Sequence, residues 1–251
     1  MNTAINQKNR HSLLFLRPQD LKGLITMAQA IEAVEQGYHE AEDFPIVNAP
    51  RRRVHSPDGV RVSNFPGGIP GLGVIGSLTR AEAVRHDSTN QDYSYREHPV
   101  YNLWDSKTSE LLAVLVGELF DERTGFSSIM AFRTGATTGV GIRHLARKDA
   151  RTVGLYGTGG QALNKMLALA EVRDIDHIKV YSRDAENRRN FVDRVSPMIE
   201  TDMTPVDTPR EVMKDVDIVI CATNSNVPVF DGDWLSVGAG VSVGAGVNVG
   251  I

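Results

Sequence analysis

The chain has 251 residues, of which 41% are hydrophobic and 23% charged, with a formal net charge of -4 and a single cysteine. That length buries a substantial core, in one large domain or two modest ones. The acidic balance offers no basic surface for nucleic acid or an anionic membrane, which leaves a small soluble ligand as the default partner. Cys221 stands alone, so an internal disulfide is excluded and a reducing cytoplasm is the expected setting. It follows the apolar run Val216 to Ile220 and reads as a packed small hydrophobe rather than a reactive thiol.

Residues 1–12 are polar, and the apolar run after them is too short for a signal-peptide core or a membrane span. Ser12 to Leu16 can form a first strand. An amphipathic helix is predicted to open at Arg17-Pro18-Gln19-Asp20, because Leu21, Leu24, Ile25, Ala28, Ile31, Val34 and Tyr38 recur at helical spacing. A break at Phe44-Pro45 precedes the basic cluster Arg51-Arg52-Arg53. Val60 to Phe65 and Leu72 to Leu78 read as strands separated by a turn over Pro66 to Gly71, whose glycines and prolines forbid a helix. Arg80 to Arg96 is polar and irregular, as expected of an exposed loop. Val100 to Trp104 and Leu111 to Val116 then form a predicted hairpin across Asp105 to Ser109. The first half thus reads as a strand-rich α+β layer.

Beyond Phe132 the pattern changes. Ala136 to Arg147 has helical spacing, with Arg143, His144 and Arg147 where cations complement the C-terminal dipole. Thr152 to Tyr156 suits a buried parallel strand, Gly157-Thr158-Gly159-Gly160-Gln161-Ala162 is a glycine turn, and Leu163 begins a helix. In this GxGxxA arrangement Gly157 permits the tight turn, Gly159 lets the backbone approach a pyrophosphate, and Ala162 lets the helix lie close to the strand. Further strands are predicted at Ile178 to Ser182, Thr204 to Val206, Asp217 to Ala222 and Gly240 to Gly244, with a helix over Glu186 to Met198. The fold class is therefore α/β, a Rossmann-type doubly wound parallel sheet beside the strand-rich layer. The repeat Val237-Gly238-Ala239-Gly240 and Val243-Gly244-Ala245-Gly246 reads as a strand flanked by glycine loops, which would bring the backbone near a nicotinamide at Gly244.

The order of parts, and above all the string FRTGATTGVGIRHLARKDARTVGLYGTGGQA followed by CATNSNVPVF and WLSVGAGVSVGAG, resembles the ornithine cyclodeaminase/mu-crystallin family over most of residues 12–246. The resemblance implies a substrate-binding and dimerisation domain over 1–132, a dinucleotide-binding domain over 133–251, and a homodimer joined through the strand-rich part. It also implies that Arg51 and Arg133 grip the carboxylate of a small substrate. A planar guanidinium fork binds a carboxylate bidentately, which suits that role, whereas a solvated basic turn is the plain alternative for Arg51 to Arg53. Thr134 lies beside Arg133 and is carried over as a cofactor contact. Two family positions differ here: the substrate-contacting lysine of a Gly-Val-Lys string is Ile75 in Gly73-Val74-Ile75, and the proton-transferring aspartate of the cyclodeaminases is Gly246. Residues 117–130 are longer than the usual connection, and the family's chain normally continues past this point to return a terminal segment to the first domain. No metal-ligand set is singled out.

For the cofactor, the end of the second parallel strand reads Val180-Tyr181-Ser182-Arg183-Asp184. A hydroxyl and an arginine, in place of a carboxylate, favour the 2′-phosphate of NADP(H). Asp184 is either the N-cap of the next helix or a ribose ligand that would restore NAD. Thr223 and Asn224 either pass the cofactor or form an ordinary strand end. The leading expectation is an NAD(P)-dependent oxidoreductase acting on a small imino, keto or amino acid. The alternatives are an ammonia-eliminating cyclodeaminase and a non-catalytic ligand-binding or accessory subunit. His55, His86 and His98 could replace the lost lysine but read first as surface or structural histidines.

Overall fold

A computed structural model describes residues 12–21, 23–43, 47–86, 91–117, 120–121, 126–225, 227–235 and 237–243. Most of the first half of these residues forms one sheet. Its strands in chain order are β1 (Leu14–Leu16), β2 (Val47–Asn48), β3 (Arg52–His55), β4 (Val60–Ile69), β5 (Val74–His86), β6 (Gln91–Arg96), β7 (Val100–Asp105) and β8 (Leu111–Val116). The spatial order is β1-β8-β7-β5-β4-β2, with β3 also on β4 and β6 also on β5. All these pairings are antiparallel except β1 with β8. A short ladder of β9 (Phe120–Asp121) and β10 (Phe126–Ser127) follows.

Three expectations for this half need correction. The first helix, α1 (Met27–Asp43), opens later than predicted, after a 3-10 turn at Pro18–Leu21. The cause is local: Thr26 and Gln29 form a reciprocal capping box, each side chain accepting the other's backbone N–H at 2.9 and 3.2 Å. Leu24 and Ile25 consequently lie outside the helix and exposed. Next, Pro66 to Ile69 continue β4, and the turn is a 3-10 segment at Pro70–Leu72. Pro66 is tolerated because β4's outer neighbour changes there from β3, which ends opposite Asn64, to β2, which begins opposite Gly67. Finally, Arg80 to Arg96 is not a loop: apart from residues outside the described set, it is the end of β5 and all of β6. Polar residues there pair across strands. Arg61 and Glu82 stand opposite each other and form an ion pair at 2.6 Å, both almost wholly buried. The hairpin β7–β8 is as predicted, its turn held by the Asp105 carboxylate accepting from the N–H groups of Lys107 and Thr108.

The second half forms a parallel sheet. Helix α2 (Ile129–Leu145) leads into β11 (Thr152–Tyr156), followed by α3 (Gly160–Val172), β12 (His177–Tyr181), α4 (Ala185–Ile199), β13 (Asp202–Pro205), α5 (Pro209–Met213), β14 (Ile218–Cys221) and β15 (Gly240–Val243). The order is β13-β12-β11-β14-β15, parallel throughout. Strand alternation divides the core. Val153, Leu155, Ile218 and Ile220 face α2, α3 and α4 in the larger cluster, and Tyr156, Val219 and Cys221 face Val212, Met213 and Phe230 on the other side. Cys221 is buried and free, as the sequence implies. From the first half, Met27, Ala30 and Ile31 of α1 join the larger cluster.

Helix α2 starts seven residues earlier than its spacing suggests. Ser128 is the N-cap, its hydroxyl accepting from Ala131 N at 3.2 Å. Arg133 and Thr134 are therefore helical residues instead of a lead-in. The cations near its end are committed: Arg143 and His144 both meet Glu35 of α1, and Arg147 meets Asp217.

Candidate functional site

At the carboxyl end of β11 the strand order reverses. The flanking strands β12 and β14 lie on opposite sides of β11, and the crevice between their ends is where open α/β sheets take ligands. Gly157 occupies that point with φ +97, a left-handed value suited to glycine. Its N–H donates to Tyr181 O at 2.8 Å, and Ala222 N donates to Tyr156 O at 2.7 Å. A Cβ on Gly157 would lie 2.8 Å from the Ala222 carbonyl carbon and 3.3 Å from Thr223 N. The ends of β11, β12 and β14 are thus drawn together so closely that a side chain has no room.

Gly159 is the N-cap of α3 and has no side chain to cap it. The N–H groups of the first helical residues, Gly160 and Gln161, lack intrahelical acceptors, and the space beside Gly159 is open: a Cβ there would meet nothing within 4 Å. Thr158, Gly160 and Gln161 are partly buried around this turn, and Gln161 Oε1 is buried without a hydrogen-bond partner. Ala162 is fully buried, so α3 lies close on its strand. An anion-accepting helix terminus with free space in front of it fits a pyrophosphate.

Beside it, Ser182 follows β12 and its hydroxyl donates to Asp184 O at 3.1 Å. Asp184 caps α4, its carboxylate accepting from Asn187 N at 2.7 Å, as the N-cap reading expects. Arg183 is exposed at this edge. Arg188, nearly buried, ties the edge down: it donates to Ser182 O and to Asp207 Oδ1, both at 2.8 Å, and stacks on Tyr181 at 5.4 Å. On the other side, Thr223 Oγ1 accepts from Ser225 N at 3.0 Å.

Helix α2 is pressed against α3. A Cβ on Gly135 would sit 2.7 Å from the carbonyl carbon of Asn164. This close crossing brings Arg133 and Thr134 to the N-terminal half of α3. Thr134 donates to Met130 O at 2.6 Å, and Arg133 is exposed. Arg51 lies in the other sheet region, its guanidinium 5.4 Å from the Phe65 ring centre. Ile75 of β5 stands opposite Gly68 and Trp104. His55 and His98 are exposed. Gly244 and Gly246 lie outside the described residues, as does the side chain of His86.

Gly157, Thr158, Gly159, Gly160, Gln161, Ser182, Arg183 and Thr223 therefore lie at or directly after the adjoining ends of β11, β12 and β14, with Arg133 and Thr134 on the neighbouring helix. Sequence reading missed Gly135, Arg188 and the buried Lys165. The run of small residues after Arg133 was a signal for the first of these. The other two are charged residues on helices, for which burial has no local signature.

The parallel sheet with its glycine turn defines a Rossmann-type protein carrying a second, mostly antiparallel sheet. The chain belongs to the ornithine cyclodeaminase/mu-crystallin family, whose model matches residues 14–249. A Delta(1)-pyrroline-2-carboxylate reductase from Bacillus cereus is 34% identical over 128 residues, which is 51% of this chain and 37% of that one. An alanine dehydrogenase from Archaeoglobus fulgidus is 31% identical over 108 residues, 43% of this chain and 33% of that one. The chain thus matches about a third of the length of these curated relatives. The structure of Thermococcus litoralis Delta(1)-pyrroline-2-carboxylate reductase in complex with NADH and L-proline superposes with a TM-score of 0.75 at 26% identity, covering 92% of this chain and 68% of that one.

Proposed function

We propose that the protein is a nicotinamide-dependent oxidoreductase acting on a small carboxylate-bearing imino, keto or amino acid. The junction at Gly157 carries this reading: three strand ends meet beneath an uncapped helix terminus that has open space before it. Thr134, Gly157, Thr158, Gly159, Gly160, Gln161, Thr223 and Gly244 would hold the dinucleotide, whose nicotinamide supplies the hydride chemistry when bound. The protein's own part is to orient and to hold charge. Arg51 and Arg133 would clamp the substrate carboxylate and fix the carbon that changes oxidation state. Similarity to reductases of a cyclic imino acid supports cyclic ketimines as the first substrates to test.

For the cofactor we favour NADP(H). The Asp184 carboxylate is engaged as a helix cap, and the exposed Arg183 brings a guanidinium suited to a 2′-phosphate to the strand end, beside the Ser182 hydroxyl, which donates to Asp184 O. The division into a substrate-binding and dimerisation part over 1–132 and a nucleotide-binding part over 133–251 belongs to the same proposal. So does a homodimer, which the exposed Leu103, Leu111 and Leu112 of β7 and β8 support. A cytoplasmic setting is supported by the single free cysteine, and among the described residues no helix is long and apolar enough to cross a membrane.

Oxidation of NADPH followed by absorbance with a panel of cyclic ketimines, and with α-keto acids plus amines, tests the reading. Turnover with any of them supports it, and binding of NADPH without turnover on the whole panel overturns it. The latter result would select the second reading, a non-catalytic NADP(H)-dependent binding protein, which Ile75 favours because it has no proton to give at the family's lysine position. Release of ammonia and a cyclic amino acid without net NADP(H) consumption would instead select the cyclodeaminase reading, against which Ile75 and Gly246 both count.

A further inference from the structure

Lys165 is 1% exposed, in the second turn of α3. Its Nζ donates to Thr138 Oγ1 of α2 at 2.7 Å, a neutral acceptor. Among the described residues no ion pair contains it. A buried ammonium without a carboxylate is costly, and a helix core position would be filled more stably by leucine or methionine. The position itself indicates what the charge is near. Lys165 lies five residues into α3, roughly 7 Å along the axis from the uncapped terminus at Gly160. It is also electrostatically coupled to Cys221, the last residue of β14, directly before the Ala222 and Thr223 that abut Gly157.

We propose that Lys165 is a buried electrostatic anchor for the dinucleotide pyrophosphate, adding a full positive charge beneath the glycine turn to the partial charge of the α3 terminus. This rests on the nucleotide reading above. In a low-dielectric interior one charge acts over such a distance with little screening, whereas a lysine on the surface would be damped by water.

The surroundings make the charge titratable. Burial lowers the Lys165 amine to about 8. Its hydrogen-bond partner, Thr138 of α2, is not ionisable, and the titratable group that acts on the amine is Cys221. Through the sheet lie Cys221, whose thiol burial pushes up to about 12, and Tyr156, raised by burial as well. Both are neutral in the range where Lys165 titrates. A pyrophosphate that favours the ammonium form must bind more weakly once the amine is neutral, so affinity falls as pH rises through and above about 8.

The dissociation constants of NADPH and NADH for the full chain and for Lys165→Met, measured by calorimetry between about pH 7 and pH 9.5, test this. The pyrophosphate of both nucleotides is fully ionised across this range, and NADH, which lacks the 2′-phosphate, separates out that group's own second ionisation at about pH 6. Expected is binding roughly tenfold weaker for the variant at pH 7, and a wild-type affinity that declines toward the variant's as pH rises, while the variant's stays flat. Thr138→Val keeps the cation but removes its acceptor, so its pH midpoint should move down. Equal affinity and an equal pH profile for wild type and Lys165→Met would overturn the proposal. Should Lys165→Met fail to fold, an unmoved midpoint in Thr138→Val would overturn it. A wild-type protein that binds neither nucleotide at any pH overturns the nucleotide reading itself.

Discussion

At the scale of single residues the site depends on one backbone value. Gly157 at φ +97 brings β11, β12 and β14 together, and any side chain there meets the Ala222 carbonyl. Gly157→Ala should therefore cost about 2–4 kcal/mol, through left-handed strain and displacement of β14, and abolish nucleotide binding. Thermal unfolding and calorimetry read the two effects separately. At the neighbouring strand end, Arg183→Ala should weaken NADPH by about 10- to 100-fold while leaving NADH nearly unchanged, the cost of losing a charge-assisted contact to a phosphate. Equal losses for both nucleotides would remove Arg183 from that role. The glycine turn was legible in the sequence because its demands are local: a strand, a turn that only glycine tolerates, a helix. Lys165 was not legible, because its burial is decided by α2 lying across it and nothing in its own neighbourhood of sequence reports that.

At the scale of elements, charged groups serve as joints. Asp217 accepts from the backbone N–H groups of Arg151 and Thr152 and from the Thr152 hydroxyl, and pairs with Arg147. These contacts, the Arg151 N–H first, hold its carboxyl below the usual range. A depressed folded value means the joint stabilises above the ordinary carboxylate range and is lost as pH falls through the folded value. Asp217→Asn should accordingly lower the melting temperature at pH 7 and flatten its fall at acid pH. A parallel acid limb in wild type and variant would show that another group governs it. In the antiparallel sheet, Glu82→Ala removes the buried carboxylate that pairs with Arg61 at 2.6 Å and should cost about 3–5 kcal/mol, measured by denaturant unfolding. That segment shows where sequence reading fails. Arg80 to Arg96 reads as a loop because its residues are polar, yet among the described ones Glu82 is paired across the strands with Arg61 inside a sheet. The hairpin β7–β8, with apolar strands and an aspartate turn, was legible from the start.

Across the whole molecule, the parallel sheet was legible almost strand by strand, since buried parallel strands are uninterrupted apolar runs between glycine or polar turns. The antiparallel sheet was read less well, because β4 continues through Pro66 only where its outer neighbour changes, a fact of tertiary pairing. The exposed leucines of β7 and β8 lead to a prediction at this scale. Sedimentation should show a dimer, and Leu111→Glu should shift it toward monomer without loss of secondary structure.

Helix α1 has a mechanical consequence. Strand β1 is part of the antiparallel sheet, α1 is packed into the core of the parallel half and bridged to α2 through Glu35, and β2 returns to the antiparallel sheet. In chain order the protein therefore goes from the antiparallel sheet to α1, back to that sheet at β2, and over again to the parallel half at α2. Three covalent tethers resist twisting or shearing of one half on the other. Sliding of one half on the other would also have to break the contacts of Glu35 on α1 with Arg143 and His144 on α2.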